Sequence, residues 1–182
     1  MGSVKMKILF SYPTKVDNEV ALINDLMTSG DWDLFHLRKP SWSNDEVLKL
    51  LNGLSDEVKS KTVLHQNFRG SCHSFKEVLE LEGVLDYCFL SPVFDSISKQ
   101  GYKANFDKEE LKEFLKKERK IKVVALGGIT EENYSEVIKL GFDGVAFLGG
   151  VWNKITHPTS LKGGVSPLEG RLRGVNAGNN RI

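Results

Sequence analysis

Two pairs of glycines near the carboxyl end of the chain are the residues whose type and spacing point most clearly to chemistry. Gly127 and Gly128 follow one short apolar run, and Gly149 and Gly150, preceded by Leu148, follow the next. Because glycine has no side chain, its backbone amide can approach a phosphate closely. We therefore predict that these two glycine turns cradle a phosphate group. The alternative is that the glycines only turn the chain.

Cationic and polar side chains stand at the ends of other apolar runs. Arg38 and Lys39 end the run that begins at Leu34, and Lys99 follows the run that ends at Phe94. The carboxyl ends of parallel strands lie at one edge of the sheet, which is called the mouth hereafter. We therefore predict a rim of cationic side chains around this mouth. The polar residues in the same loops are His65, Gln66, Ser71, Ser96 and Ser98.

Metal-ligating residue types also fall near these ends. His36, His65 and His73 would suit a transition metal if they converged. The alternative is that the three histidines only contribute polar side chains to the lining of the mouth. Their spacing favours this alternative, because no two of them are four residues apart on a helix and no cysteine accompanies them.

The elements that must position these residues alternate along the chain. Short β-branched or aromatic runs are followed by segments of helical period, which is typical of an α/β fold with a parallel sheet. Strands are predicted to start at residues 7, 34, 61, 70, 87, 122 and 144. Side chains suited to capping the helices that follow are Ser43, Ser74, Asp107 and Thr130.

One spacing does not fit a regular alternation. The nine residues between the predicted strand starts at Lys61 and Gly70 are too few for a parallel crossover, which needs roughly a dozen residues. Seven strands plus one helix–strand unit missing between Phe68 and Gly70 predict a shortened (β/α)8 TIM barrel. Residues 1–152 are predicted to form this domain. Residues 153–182, which contain Gly, Asn and Pro, are predicted to form a tail or a degraded last helix.

Composition excludes several classes of protein. The chain has 182 residues with 25 Lys and Arg against 24 Asp and Glu, so its net charge is +1. Such a balance argues against nucleic-acid binding. No apolar run is long enough for a membrane span, so we expect a cytoplasmic protein without a membrane partner. Cys72 and Cys88 stand in apolar settings and are expected to be buried, reduced thiols.

Four segments resemble the thiamine-phosphate synthases and their relatives, the thiazole tautomerases. They are His36–Lys39, Ser71–Glu77, Asp86–Phe94 with Ser96–Lys99, and Val124–Ile129 with Gly144–Phe147. The likeness extends roughly from Lys7 to Trp152, and the order and spacing of the segments carry it. It implies a TIM-barrel transferase of thiamine biosynthesis, which joins a hydroxymethylpyrimidine pyrophosphate to a thiazole phosphate and releases pyrophosphate.

The resemblance also implies roles for individual residues. Arg38 and Lys99 match the family's pyrophosphate-binding cations and are the expected catalytic residues, and Ser71 matches a substrate-contacting serine. The glycine turns match the thiazole-phosphate cradle. The remaining residues expected to bind substrate are Lys39, His65, Gln66, Ser96 and Ser98. Magnesium is the expected cofactor, phosphorylated small molecules are the expected partners, and self-association into a homo-oligomer is a further expectation.

Three departures from the family pattern keep alternatives open. Lys39 directly follows Arg38, where the family has one residue between its two cations, so Lys39 would leave the opposite side of the strand. His65 and Gln66 stand where the family has an Asn–Asp pair that supports magnesium, which leaves Asp95 as the one nearby carboxylate to bind that ion. Pro92 stands where the tautomerases have a histidine. The alternatives are a non-catalytic phosphate-ligand binding or partner protein, and a thiazole tautomerase relative.

Overall fold

A single parallel sheet of seven strands forms the centre of the protein. The computed structural model describes residues 5–95 and 104–156. The strands are joined in the order β3-β2-β1-β7-β6-β5-β4, and each starts within one residue of its predicted position. Their bounds are β1 Met6–Phe10, β2 Leu34–Leu37, β3 Thr62–Leu64, β4 Ser71–Cys72, β5 Tyr87–Leu90, β6 Lys122–Ala125 and β7 Gly144–Phe147.

Helices connect most of these strands and cover the outer face of the sheet. Ser43 caps α2 in a full capping box with Glu46, and Asp107 caps α5, as predicted. The prediction for Thr130 is wrong by three residues, since Asn133 is the N-cap of α6. The bounds are α1 Glu19–Ser29, α2 Asn44–Gly53, α3 Asp56–Ser60, α4 Phe75–Glu80, α5 Lys108–Lys116, α6 Tyr134–Leu140 and α7 Gly149–Thr156.

The sheet curls into an open barrel. His36 on β2 and Tyr87 on β5 are four strands apart in the sheet, which would separate them by about 19 Å if the sheet were flat. Their side chains instead lie 2.6 Å apart. The inner face is filled by an aromatic cluster, the inner cluster hereafter, made of Phe10, His36, His65, Phe68, Tyr87 and Phe89.

The barrel is open between β3 and β4. These strands lie at the two ends of the sheet order and are joined by a short 3-10 turn, His65–Asn67, where other strands have a helix. Phe68 lies at this opening, where its ring stacks on Tyr87 with centroids 5.0 Å apart. A Cβ atom on Gly70 would lie only 2.5 Å from the Phe68 ring. The opening is therefore narrowed by an aromatic side chain.

The last described helix crosses the predicted end of the domain. Helix α7 runs from Gly149 to Thr156, so the predicted boundary at Trp152 falls inside it. Trp152 is fully buried, and its Nε1 donates a hydrogen bond to the carbonyl oxygen of Phe10 at 2.6 Å. Residues 157–182 of the predicted tail lie outside the described residues. No described helix has the length and hydropathy needed to cross a bilayer.

Candidate functional site

The first glycine turn follows β6 at the carboxyl edge of the sheet. Gly127 and Gly128 have φ angles of +94° and +67°, in the left-handed region that favours glycine. Asn133 at the start of α6 donates from Nδ2 to the carbonyl oxygen of Gly128 at 2.7 Å. The turn is therefore held both by its backbone conformation and by the helix that follows it.

The turn packs closely against the loop after β5. Phe94 donates its backbone N–H to the carbonyl oxygen of Gly127 at 3.2 Å. A Cβ atom on Gly127 would lie 2.9 Å from Pro92 Cα, and one on Gly128 would lie 2.7 Å from Phe94 Cβ. Only glycine fits at these two positions without a shift of the neighbouring chain.

The second glycine turn lies beside the first. Gly149 and Gly150 are the first two residues of α7, and a Cβ atom on Gly150 would lie 2.5 Å from the carbonyl oxygen of Ile129. The buried hydrogen bond of Trp152 anchors this helix to β1. The structure thus brings the two predicted glycine turns together.

Among the described residues, the amides of both turns are free to bind a ligand. At the start of a helix the first N–H groups have no carbonyl four residues earlier to bind, which applies to Gly149 and Gly150. Within residues 5–95 and 104–156, the amides of Gly127, Gly128 and Ile129 donate no hydrogen bond. Several neighbouring amide donors with the positive end of a helix dipole form a suitable environment for a phosphate.

Arg38 lies at the same edge of the sheet, at the end of β2. The Ser11 hydroxyl accepts from the Arg38 backbone N–H at 2.8 Å and donates to the Arg38 carbonyl oxygen at 2.9 Å, which ties the ends of β1 and β2 together. The Arg38 side chain is exposed and forms no ion pair with a described residue. Its backbone is therefore fixed while its guanidinium group stays open to an anion.

Lys39 leaves the other side of the strand, in line with the alternation of strand side chains. Its ammonium group forms a buried ion pair with Glu19 on α1, donates to the carbonyl oxygen of Thr14 at 2.7 Å, and lies 4.5 Å from the ring centre of Trp42. Burial lowers the pKa of Lys39 and raises the pKa of Glu19, and the pairing opposes both shifts. The structure does not bring Lys39 to the mouth.

His65 belongs to the inner cluster and reaches the mouth near Arg38. Its Nδ1 lies 3.1 Å from Nδ1 of His36, and Nε2 of His36 lies 2.6 Å from the Tyr87 hydroxyl. Burial, and secondly the charge of Arg38, lowers the pKa of His65 to about 4. Burial, and secondly His65, lowers the pKa of His36 to about 3. Both rings are neutral at neutral pH.

The remaining predicted residues occupy different positions. Ser71 on β4 pairs with Phe89 in the ladder, so it shares the inner face, and Gln66 is exposed beside His65. His73 bonds through Nδ1 to the carbonyl oxygen of Ser91 at 2.8 Å and does not join the other two histidines. The predictions for Ser96, Ser98 and Lys99 lie outside the described residues.

The described residues do not fit a magnesium ion. Asp95 is exposed, and its Oδ1 accepts the backbone N–H of Ala104 at 2.8 Å. In the described part of the chain, no group of three His, Cys, Asp or Glu side chains is arranged to hold a metal. Magnesium usually takes one or two carboxylates besides the phosphates it bridges, and Asp95, whose carboxylate already accepts the Ala104 N–H, is the one predicted ligand among the described residues.

Several residues that shape this site carry no role in the predictions from the sequence. Tyr87 bonds to His36 on the inner face, and Asn133 and Trp152 fix the two glycine turns. The signal for Tyr87 is its position two residues before Phe89, because residues at i and i+2 of a strand share one face. Trp152 is the fourth residue of α7, and none of its neighbours in the sequence indicates a hydrogen bond to Phe10.

Comparisons with known proteins match this geometry. Residues 69–151, which include both glycine turns, match the family model of thiamine monophosphate synthase. The chain is related to the thiamine-phosphate synthases. It is 37% identical over 83 residues to the thiamine-phosphate synthase of Listeria welshimeri, and 35% identical over 144 residues to that of Listeria monocytogenes serotype 4b. These alignments cover 44% and 78% of this chain, and 40% and 60% of the two relatives. The chain thus spans about half the length of these thiamine-phosphate synthases.

Solved structures of thiamine phosphate pyrophosphorylases are also similar to this chain. The thiamine phosphate pyrophosphorylase of Bacteroides thetaiotaomicron superposes with a TM-score of 0.65 and 28% identity, over 83% of this chain and 86% of that one. The enzyme of the same name from Pyrococcus furiosus, at 20% identity and a TM-score of 0.56, covers 81% of this chain and 87% of its own and supports the fold alone. The barrel described above therefore resembles the fold of these thiamine phosphate pyrophosphorylases.

Proposed function

We propose that this protein is a thiamine-phosphate synthase-like transferase. It joins a hydroxymethylpyrimidine pyrophosphate to a thiazole phosphate and releases pyrophosphate. The observation that carries the proposal is the pair of adjacent glycine turns, whose amides stand together at the carboxyl edge of β6 and β7. They lie in the segment that matches the family model.

The two ends of the site hold the two substrates. The amides of Gly127, Gly128, Gly149 and Gly150 hold the thiazole phosphate, with Leu148 beside them. Arg38 attracts the pyrophosphate, and Lys99 is proposed to act with it from the loop after β5. Ser71, His65, Gln66, Ser96 and Ser98 complete the substrate lining. Lys39 stabilises the fold through Glu19 in place of binding substrate.

These groups suit a reaction that needs charge stabilisation more than a base. The bond between the pyrimidine methylene carbon and the pyrophosphate oxygen breaks, and the thiazole nitrogen forms a new bond to that carbon. Negative charge grows on the departing pyrophosphate, where Arg38 and Lys99 stabilise it. The glycine amides keep the thiazole phosphate in place, so its nitrogen is presented to the carbon.

The opening between β3 and β4 supports a further part of the proposal. We propose that one helix–strand unit of an eight-stranded barrel is missing between Phe68 and Gly70, because the unpaired edges of the sheet flank this segment. This unit would add its own side chains to the mouth, so its absence is expected to slow turnover. Exposed edges also favour association between copies of the chain, and this homo-oligomer, like the cytoplasmic location, stays a prediction.

Pyrophosphate release tests the transferase directly. Purified protein is incubated with both phosphorylated substrates and Mg²⁺, and a coupled assay follows pyrophosphate. Release that requires both substrates, and that Gly128→Ala abolishes, is the expected result. No release above the rate without protein would contradict the transferase proposal.

A second candidate function is a non-catalytic protein that binds a phosphate ligand. Two observations favour it: the described residues do not fit magnesium, and Lys39 is used in a buried ion pair. Calorimetric titration with thiazole phosphate separates the two candidates. Binding without pyrophosphate release supports the binding protein, and no binding at all would contradict both. The third candidate, a thiazole tautomerase relative, would show isomerisation of its thiazole substrate. None of the described contacts of Pro92, which stands where the tautomerases have a histidine, favours this candidate.

A further inference from the structure

A chain of hydrogen bonds leads from the inner cluster to the mouth. The Tyr87 hydroxyl lies 2.6 Å from Nε2 of His36, and Nδ1 of His36 lies 3.1 Å from Nδ1 of His65. His36 has no exposed surface, so both of its ring nitrogens are used by these two partners. His65 is only partly buried and lies near Arg38. The middle ring of the chain is therefore fully buried, and its two ends, Tyr87 and His65, are each partly buried.

The number of donors and acceptors on each side chain limits the order of donors along this chain. A neutral imidazole carries one N–H donor and one bare acceptor nitrogen, so the proton positions of the two rings depend on each other. In the first arrangement, Tyr87 donates to Nε2 of His36, and His36 donates from Nδ1 to His65. The proton of His65 then lies on Nε2. In the second arrangement every donor is reversed.

The surroundings of Tyr87 favour the first arrangement. Its ring lies 5.0 Å from that of Phe68 and 5.7 Å from that of Phe89, and its hydroxyl bonds to no described residue other than His36. In the second arrangement the hydroxyl proton would have no acceptor among these residues. The 2.6 Å separation between the Tyr87 hydroxyl and Nε2 of His36 also suits an O–H donor and is shorter than the distance of about 2.7–3.2 Å typical of an N–H donor.

We propose that Tyr87 and His36 are positioning residues that hold His65 in the tautomer with its proton on Nε2, so that His65 donates a hydrogen bond to the anion attracted by Arg38. The ligand in this inference rests on the proposed function, whereas the tautomer order does not. The reverse tautomer would present a bare lone pair to the anion. With the proton on Nε2, the His65 side chain offers an N–H donor beside the positive charge of Arg38.

The charge states of the three groups support this arrangement. Burial, and secondly Asp86, raises the pKa of Tyr87 to about 12, so the phenol keeps its proton. The pKa values of about 3 for His36 and about 4 for His65 keep both rings neutral near neutral pH. Each ring therefore has the single proton that the hydrogen-bond chain requires.

Nitrogen NMR of the histidine rings tests the tautomer order without any ligand. The ¹⁵N shifts of labelled protein near neutral pH distinguish a protonated ring nitrogen from a bare one. We expect His36 to carry its proton on Nδ1 and His65 on Nε2. The opposite order, or a mixture in both rings, would overturn the proposal.

Tyr87→Phe tests whether the phenol sets this order. We expect the His65 proton to be shared between its two nitrogens and the affinity for inorganic pyrophosphate to fall by about threefold to tenfold. Tyr134→Phe is the matched control, because Tyr134 packs on Phe147 outside the inner cluster and its hydroxyl bonds to no described residue. An unchanged His65 tautomer and unchanged affinity in Tyr87→Phe would overturn the positioning role. If Tyr87→Phe does not fold, the spectrum of the unaltered protein still decides the order.

Two substitutions of His65 test its hydrogen bond to the anion. His65→Gln keeps an N–H donor near the Nε2 position, whereas His65→Asn is too short to supply one there. We expect His65→Asn to weaken inorganic pyrophosphate binding about tenfold and His65→Gln to weaken it less than about threefold. Equal losses in both variants would overturn the donor role. If the unaltered protein binds no pyrophosphate, the proposed function fails, while the ligand-free spectrum still judges the tautomer order.

Discussion

The loops after β6 and β7 differ from the ends of β2 and β3 in whether their polar groups have hydrogen-bond partners within the protein. In the first region, the amides of Gly127, Gly128 and Gly149 are left without described partners inside a closely packed scaffold. In the second region, polar side chains bond mainly to each other, as Lys39 does to Glu19 and His65 to His36. A site keeps its binding groups unpaired on a rigid frame, so the glycine turns meet this condition more fully than the cationic side.

The largest expected effect comes from the buried ion pair of the second region. Lys39→Met leaves the Glu19 carboxylate buried without its partner, which should lower the free energy of unfolding by about 3–5 kcal/mol. The double variant Glu19→Leu with Lys39→Met removes both charges and should lie near the stability of the unaltered protein. Urea unfolding measures both. A single variant as stable as the parent would show that Lys39 is not structural.

Gly128→Ala should have the next largest effect, this time in the first region. Its Cβ would meet the backbone and side chain of Phe94 in a left-handed conformation, so we expect a loss of about 2–4 kcal/mol in the free energy of unfolding. Gly83→Ala is the matched control. Gly83 has a similar φ of +75° with no atom within 4 Å of a Cβ, so only the backbone cost of about 1 kcal/mol applies. Equal losses at the two positions would contradict the close packing of the turn.

Acid should weaken the second region through its buried histidine. His36 has a pKa of about 3 in the folded protein against an ordinary 6.5, so the unfolded state binds more protons below pH 6.5. The free energy of unfolding should therefore be highest above that pH and fall as the pH drops toward 3, by up to about 1.4 kcal/mol per pH unit from His36 alone. Urea unfolding at several pH values measures this slope. The double variant His36→Phe with Tyr87→Phe should make the slope shallower while the contribution of His65 remains, and an unaltered slope in that variant would assign the effect to other groups.

Arg38→Gln should have the smallest effect on stability, because the Arg38 side chain is exposed and Ser11 contacts only its backbone. We expect a change within about 0.5 kcal/mol in the free energy of unfolding. The same change should weaken pyrophosphate binding about tenfold and raise the pKa of His65, since the positive charge that lowers it is removed. Calorimetry and histidine NMR measure these two effects. Unchanged affinity would remove Arg38 from the proposed site.

The sequence predicted the strands well because their signal is local. β-branched and aromatic runs mark each strand, and the alternation of strand side chains placed Lys39 opposite Arg38 before its ion pair with Glu19 was visible. The nine-residue step correctly marked the place where the sheet is open. Contacts across the barrel could not be predicted in this way. His36 and Tyr87 meet only because the sheet curls, and no local pattern encodes how far it curls.

The sequence also predicted the candidate site only where its signal is local. The glycine pairs have a local signature, and their approach to each other follows from the adjacency of β6 and β7 in the sheet. The histidines lacked such a signature, because the same residue types suit a metal, a polar lining or a hydrogen-bonded chain. Their actual arrangement depends on the Tyr87 hydroxyl and on the depth of burial of His36, which only the three-dimensional structure supplies.

An NMR titration of the glycine amides with thiazole phosphate tests the central claim most directly. We predict that the amide signals of Gly127, Gly128, Gly149 and Gly150 shift in a saturable manner, while that of Gly83, which lies outside the mouth, does not. Saturable binding that leaves these four amides unchanged, or no binding at all, would contradict it.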